Sequence, residues 1–147
     1  MKRITIDKKE YKFEFTIEAS LYDDCTKSIM DLFVTGGMVS NAAENNDIDG
    51  AKEYFISSMA NIPQITLTLF YAGLLEHHGS EGDNTILSKS VAKKLLATYL
   101  KENNKSFRDV LGEMMEQMAE DNFFDLIGLN QVANELTEDE KKESGKK

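Results

Sequence analysis

At 147 residues, with 41% apolar and 29% charged side chains, the chain suits one domain with a real core and is not disordered by composition. Its net charge of -9 sets it against phosphate backbones and anionic lipid, so neither nucleic acid nor membrane is expected as a partner. The single cysteine, Cys25, has no internal disulfide partner, which suits a reducing cytosol; it is expected to be a small buried side chain rather than a nucleophile.

The start of the chain alternates. Ile4 and Ile6 stand two apart, and Tyr11, Phe13 and Phe15 repeat the spacing with Lys12 and Glu14 between them. Period two predicts strands with one buried and one wet face. Asp7-Lys8-Lys9-Glu10 is the right length for a hairpin turn, although it lacks the glycine of the tightest type. A hairpin is marginal alone, so it must lie on the helices that follow. Charges occupy MKRITIDKKEYKFEF where a signal peptide would carry its apolar segment. The longest apolar stretch, 62–75, contains Pro63, Gln64, Thr66, Thr68 and Gly73 and is too short to span a bilayer. A soluble, cytoplasmic protein is therefore expected.

The first helix is predicted over 17–34, where Leu21, Cys25, Ile29 and Leu32 or Phe33 recur at three- and four-residue steps. Gly36-Gly37 is expected to end it, and 38–46 reads as a small, polar connection. A second helix is predicted over 48–61, capped by Asp47 and stopping before Pro63, with Tyr54, Phe55, Ile56 and Met59 as its apolar surface. Pro63 then fits the first turn of a third helix. Ile65, Leu67, Leu69, Phe70, Tyr71, Ala72, Leu74 and Leu75 point in all directions, which predicts a central, buried helix.

Residues 79–85 form a turn-rich loop. Ser88 is expected to cap a fourth helix with a stripe of Val91, Leu95, Leu96, Tyr99 and Leu100, broken at Asn103-Asn104-Lys105. Ser106-Phe107-Arg108-Asp109 reads as a capping box opening a fifth, with Val110, Leu111, Met114, Met115 and Met118 on one side. Phe123, Phe124, Leu126 and Ile127 end the apolar part, and 135–147 reads ELTEDEKKESGKK. The expected fold is mainly α (α+β). An N-terminal β-hairpin (1–16) packs on a compact bundle of about five helices (17–130), followed by a charged, flexible tail (131–147). No internal repeat is visible.

Two motifs hint at chemistry. His77 and His78, the only histidines, close QITLTLFYAGLLEHHG beside Ser80-Glu81-Gly82-Asp83. Adjacent positions diverge by about 100° on a helix, whereas helical zinc sites use i, i+3 or i+4 spacing. The pair is better read as a helix C-terminus: cations suit the macrodipole, imidazoles reach the last carbonyls, and Gly79 suits the left-handed C′ position. Asn45, Asp47, Asp49 and Gly50 imitate the front of a calcium loop, but the twelfth position is Ile56, where a bidentate glutamate is required. Gly36-Gly37 lacks the rest of any phosphate-binding fingerprint, and no Ser–His–Asp arrangement stands out. No catalytic residue, metal ligand or cofactor is expected, and the protein is not expected to be an enzyme. Met114, Met115 and Met118 form a soft stripe. Core is the commoner use, but with Phe123 and Phe124 close behind they are the candidate partner-binding surface.

The layout carries a resemblance. A short RITID…YKFEF hairpin comes first, then an apolar YAGLLEHHG helix, then LSKSVAKKLLATYLKENNKSFRDVLGEMMEQMAEDNFF as two tandem helices, then a charged tail. Over most of 1–130 this resembles the tail assembly chaperones of long-tailed phages and prophages of Gram-positive bacteria, in layout and texture rather than through an invariant motif. The resemblance implies a non-enzymatic protein of the host cytoplasm, absent from the mature virion. It implies binding to the long, helical tape measure protein, which it keeps soluble. It also implies recruitment of tail tube protein through a frameshifted C-terminal extension, for which ESGKK is suitably placed. No cofactor is implied, and weak self-association is expected. The alternative is a small cytosolic adaptor or regulatory module that binds a partner helix.

Overall fold

The computed structural model describes residues 1–129 and 131. Strands β1 (Lys2–Ile6) and β2 (Lys9–Phe13) pair antiparallel with Ile6 opposite Lys9, so the connection is the two residues Asp7-Lys8. Both have positive φ, 49° and 65°, as a type I′ turn demands. Alternation then places Ile4, Ile6, Phe13 and Phe15 on one buried face.

Helices among the described residues are α1 (Ile17–Leu21), α2 (Asp23–Glu44), α3 (Ile48–His78), α4 (Lys89–Asn103), α5 (Phe107–Glu120) and α6 (Phe123–Leu126). The chain is mainly α with an N-terminal hairpin, as expected, but three boundaries differ. The expected helix over 17–34 breaks at Tyr22, which is extended (ψ 101°) and sets its ring edge-on to Tyr71 at 5.4 Å. Gly36-Gly37 does not end α2, and the expected connection at 38–46 is helical to Glu44. Each mid-helix glycine costs about 1 kcal/mol relative to alanine, and α2 continues through both. Pro63 does not start a helix; α3 runs through it for 31 residues. The missing N–H forfeits the bond to the Met59 carbonyl, and Pro63 and Met59 are both on the exposed side, where water can take that carbonyl.

The local caps are as expected. Asp47 accepts from Gly50 N–H, Ser88 from Val91 N–H, and Ser106 and Asp109 form a reciprocal capping box. Gly79 caps α3 with φ -81° rather than in the left-handed region. Of the expected tail, 132–147 lies outside the described residues.

The C-terminal half of α3 is the centre. Ile65, Leu69, Phe70, Ala72 and Leu74 are buried, and β2, α1, α2, α4 and α5 all pack on α3. Phe13 meets Phe70 at 4.9 Å between ring centroids, and Phe15 meets Phe123 at 5.6 Å. Burying each of these rings contributes about 1.5–3 kcal/mol. They come that close because Gly73 has no side chain: a Cβ there would lie 3.1 Å from Phe15 and 3.2 Å from Phe13.

Candidate protein-interaction surface

The two histidines do different work. His78 is 5% exposed. Its Nε2 accepts from the Lys12 N–H at 2.9 Å, and its Nδ1 faces Asp83 Oδ2 at 3.1 Å and Thr85 Oγ1 at 3.2 Å. Burial lowers its pKa below the ordinary value, although Asp83 pulls the other way. His77 points to Glu14, with Nε2 3.5 Å from Oε2. The pair therefore diverges onto the hairpin and the following loop, and among the described residues no three His, Cys, Asp or Glu side chains converge as a metal site would need. Cys25 is fully buried, which pushes its thiol up to about 12.

These contacts explain how a lone hairpin is held. The outer edge of β2 is covered by α3: Lys12 N–H binds His78, and Glu14 N–H binds the Gly73 carbonyl at 3.0 Å. Asp7 N–H binds the Glu102 carboxylate of α4 at 3.0 Å, and Phe15 N–H binds Asp121 at 2.9 Å. Asp121 also lines an open depression with Glu14, Phe15 and Asp125. Its carboxylate is engaged there by Phe15, Gln117 and the N-terminus, so the depression belongs to hairpin docking.

The residues of the expected partner surface lie in or against the core. Met114, Met118 and Phe123 are fully buried, and Met115 and Phe124 are partly buried against the same core. The α5 stripe packs on α3, and the methionines fill the space between them. Phe123 lies against Phe15, and Phe124 meets Phe33 edge-on at 6.2 Å. The apolar excess at this end of the chain is the floor beneath the hairpin.

Exposed apolar side chains occur at several places, Ile17, Leu21, Leu87 and Leu126 among them, and one group shares a helix face. Beyond Ile29 on α2 and before Ile65 on α3, only Ala42 is buried among the described side chains. The two helices are joined by the short turn Asn45-Asn46-Asp47, where Asn46 is left-handed (φ 60°) and Asp47 N–H binds the Ala42 carbonyl at 2.9 Å. They form an antiparallel arm whose α3 portion, 48–62, is about 22 Å long at 1.5 Å per residue.

On this arm Ile48, Phe55 and Ile56 are 65%, 50% and 66% exposed, and Phe33, Val34, Tyr54 and Met59 are exposed too. Ile48, Phe55 and Met59 follow at i, i+7 and i+11, with Ile56 beside them, within roughly a third of the helix circumference. Thr66, Phe70 and Gly73 continue the same line. There the face is covered: Thr66 Oγ1 donates to the Phe107 carbonyl at 3.2 Å, and Phe13 and Phe15 lie on Gly73. One helix face thus passes from covered to open near Ile62. The sequence marked Tyr54, Phe55, Ile56 and Met59 as apolar, but periodicity could not say that they would stand exposed among the described residues. Among the described residues no helix is long and apolar enough to cross a membrane.

No protein family, curated protein or solved structure matches the chain.

Proposed function

We propose that this chain is a phage tail assembly chaperone. It binds the tape measure protein, keeps it soluble, and helps recruit tail tube protein through a frameshifted extension. It is not an enzyme, uses no cofactor, works in the host cytoplasm and stays out of the mature virion. Two supports stand behind the reading: the resemblance in layout, and the open apolar face of the α2–α3 arm.

The arm carries most of the weight. Among the described residues, the large apolar side chains Met30, Phe33, Val34, Ile48, Tyr54, Phe55, Ile56 and Met59 stand exposed on α2 and α3. A groove or face of this kind takes an amphipathic helix through anchors at i, i+3, i+4 and i+7. Exposed apolar side chains that share one helix face, as Ile48, Phe55, Ile56 and Met59 do, mark interaction sites, and a net charge of -9 keeps a loaded complex dispersed.

The test is co-expression with a tape measure protein. The client is expected to move into the soluble fraction with the intact chain and to return to the pellet with the double variant Phe55→Ser/Met59→Ser. A client that stays insoluble beside the intact chain defeats the proposal. A stable stoichiometric complex with an unrelated host protein would favour the adaptor reading instead.

A further inference from the structure

We propose that the open face of the arm receives an amphipathic helix whose apolar stripe is bordered by lysine or arginine. This rests on the client-holding reading above and adds the chemistry of the client.

The argument starts from charge. Between Ser28 and Ile62 the chain has five carboxylates, Asp31, Glu44, Asp47, Asp49 and Glu53, and one cation, Lys52. Asp49 and Glu53 stand one turn apart, so they line one border of the stripe, on the Ile56 side, while Lys52 is exposed within the stripe between Met59 and Ile56. Neither carboxylate takes part in the salt bridges of the described residues, which lie on the hairpin, the α3 C-terminus and the α4–α5 junction. The acidity is local. The hairpin strands and turn, 2–13, carry five cations against two carboxylates, and α4 carries four lysines against one glutamate.

Each candidate occupant meets this border differently. A helix with acidic or neutral borders would strip water from Asp49 and Glu53 and give nothing in return. A second copy would bring another acidic arm and another nine negative charges. A helix with lysine or arginine beside its apolar stripe supplies both the anchors and the counter-charge. Its attachment should weaken with salt, because the border is exposed and screened.

The experiment uses the full chain and two labelled synthetic helical peptides with the same apolar stripe, one bordered by lysines and one by glutamates. Binding is followed by fluorescence anisotropy at about 50 and about 300 mM salt, where screening differs. The lysine-bordered peptide is expected to bind at least about tenfold more tightly at low salt, with the gap narrowing at high salt. Asp49→Lys/Glu53→Lys should reverse the preference, and Phe55→Ser/Met59→Ser should weaken both peptides. All four positions are exposed, and circular dichroism with a thermal melt checks that each variant is folded.

Equal binding of the two peptides overturns the charge proposal while leaving the client-holding reading in place. Absence of peptide binding, with tape measure solubilisation intact, overturns the arm as the docking face. Loss of both defeats the two readings together. Concentration-dependent assembly in sedimentation that Phe55→Ser/Met59→Ser abolishes would make a second copy the occupant and overturn the proposal.

Discussion

The backbone N–H of Lys12 donates to Nε2 of His78 across 2.9 Å, and the other ring nitrogen stands 3.1 Å from an Asp83 carboxylate oxygen. One imidazole therefore ties the edge of β2 to the end of α3 and to the loop after it. Nε2 can accept only while unprotonated, with Nδ1–H donating toward Asp83. The unfolded chain takes up this proton near pH 6.5, and the folded chain only at lower pH, because burial lowers the His78 pKa. This contribution is fully present above about 6.5 and is lost as pH falls toward the folded pKa. Urea midpoints should be lower at pH 5.5 than at pH 7.5. His78→Gln should be less stable at pH 7.5 by about 1–3 kcal/mol, the cost of an unsatisfied amide, and its two midpoints should lie closer together. A wild-type chain more stable at pH 5.5 would show that the folded state favours the imidazolium.

The hairpin turn predicts a gain. Asp7 and Lys8 both sit at positive φ, which Asp tolerates and Lys does not. Lys8→Gly creates the Asp-Gly pair that a type I′ turn prefers. The melting temperature should rise, by an amount corresponding to about 1 kcal/mol. Calorimetry checks this, and an unchanged or lower melting temperature would mean that the Lys8 side chain contributes more than its backbone costs.

Two glycines separate close approach from mere tolerance. A Cβ on Gly73 meets the rings of Phe13 and Phe15 at 3.1–3.3 Å, and those rings are already packed on Phe70 and Phe123. A Cβ on Gly112, inside α5, meets nothing within 4 Å. Gly73→Ala should destabilise by about 1–3 kcal/mol through overpacking. Gly112→Ala should stabilise by up to about 1 kcal/mol through helix propensity. Chemical denaturation of the two variants side by side should move the midpoint in opposite directions; a shift of the same sign would contradict the packing described.

What was legible in the sequence was local. Asp47, Ser88 and the Ser106–Asp109 box cap their helices through bonds spanning three residues, so their spacing alone carries the signal. The alternation of Ile4, Ile6, Phe13 and Phe15 was equally readable, because it reports the pleat. What was not legible depends on neighbours far along the chain. Gly36-Gly37 and Pro63 read as stops, yet α2 and α3, which pack together, run through them. His77 and His78 read alike as a helix end. Only the hairpin, more than sixty residues earlier, makes His78 a buried acceptor and leaves His77 beside Glu14. Period 3.6 marked both the α5 methionines and the Phe55 face as apolar, but it does not say which one another element covers.

That difference gives the last prediction. Met114 and Met118 are fully buried beneath α3, Met115 is partly buried, and Phe55 and Met59 are exposed on the arm. Met114→Ala and Met118→Ala should each cost about 2–5 kcal/mol, the range for truncating a buried methionine and leaving a cavity. Met115→Ala should cost less, because water already reaches part of the side chain. Phe55→Ser/Met59→Ser should shift stability by no more than about 0.5 kcal/mol per site, as exposed positions do. If the arm holds the client, the order reverses for solubilisation. The arm variant should lose it at full stability, whereas Met115→Ala should keep it. Thermal melts and the soluble fraction of co-expressed tape measure protein, measured on the same variants, separate the two. Loss of solubilisation with Met115→Ala alone, at unchanged stability, would return the binding surface to α5.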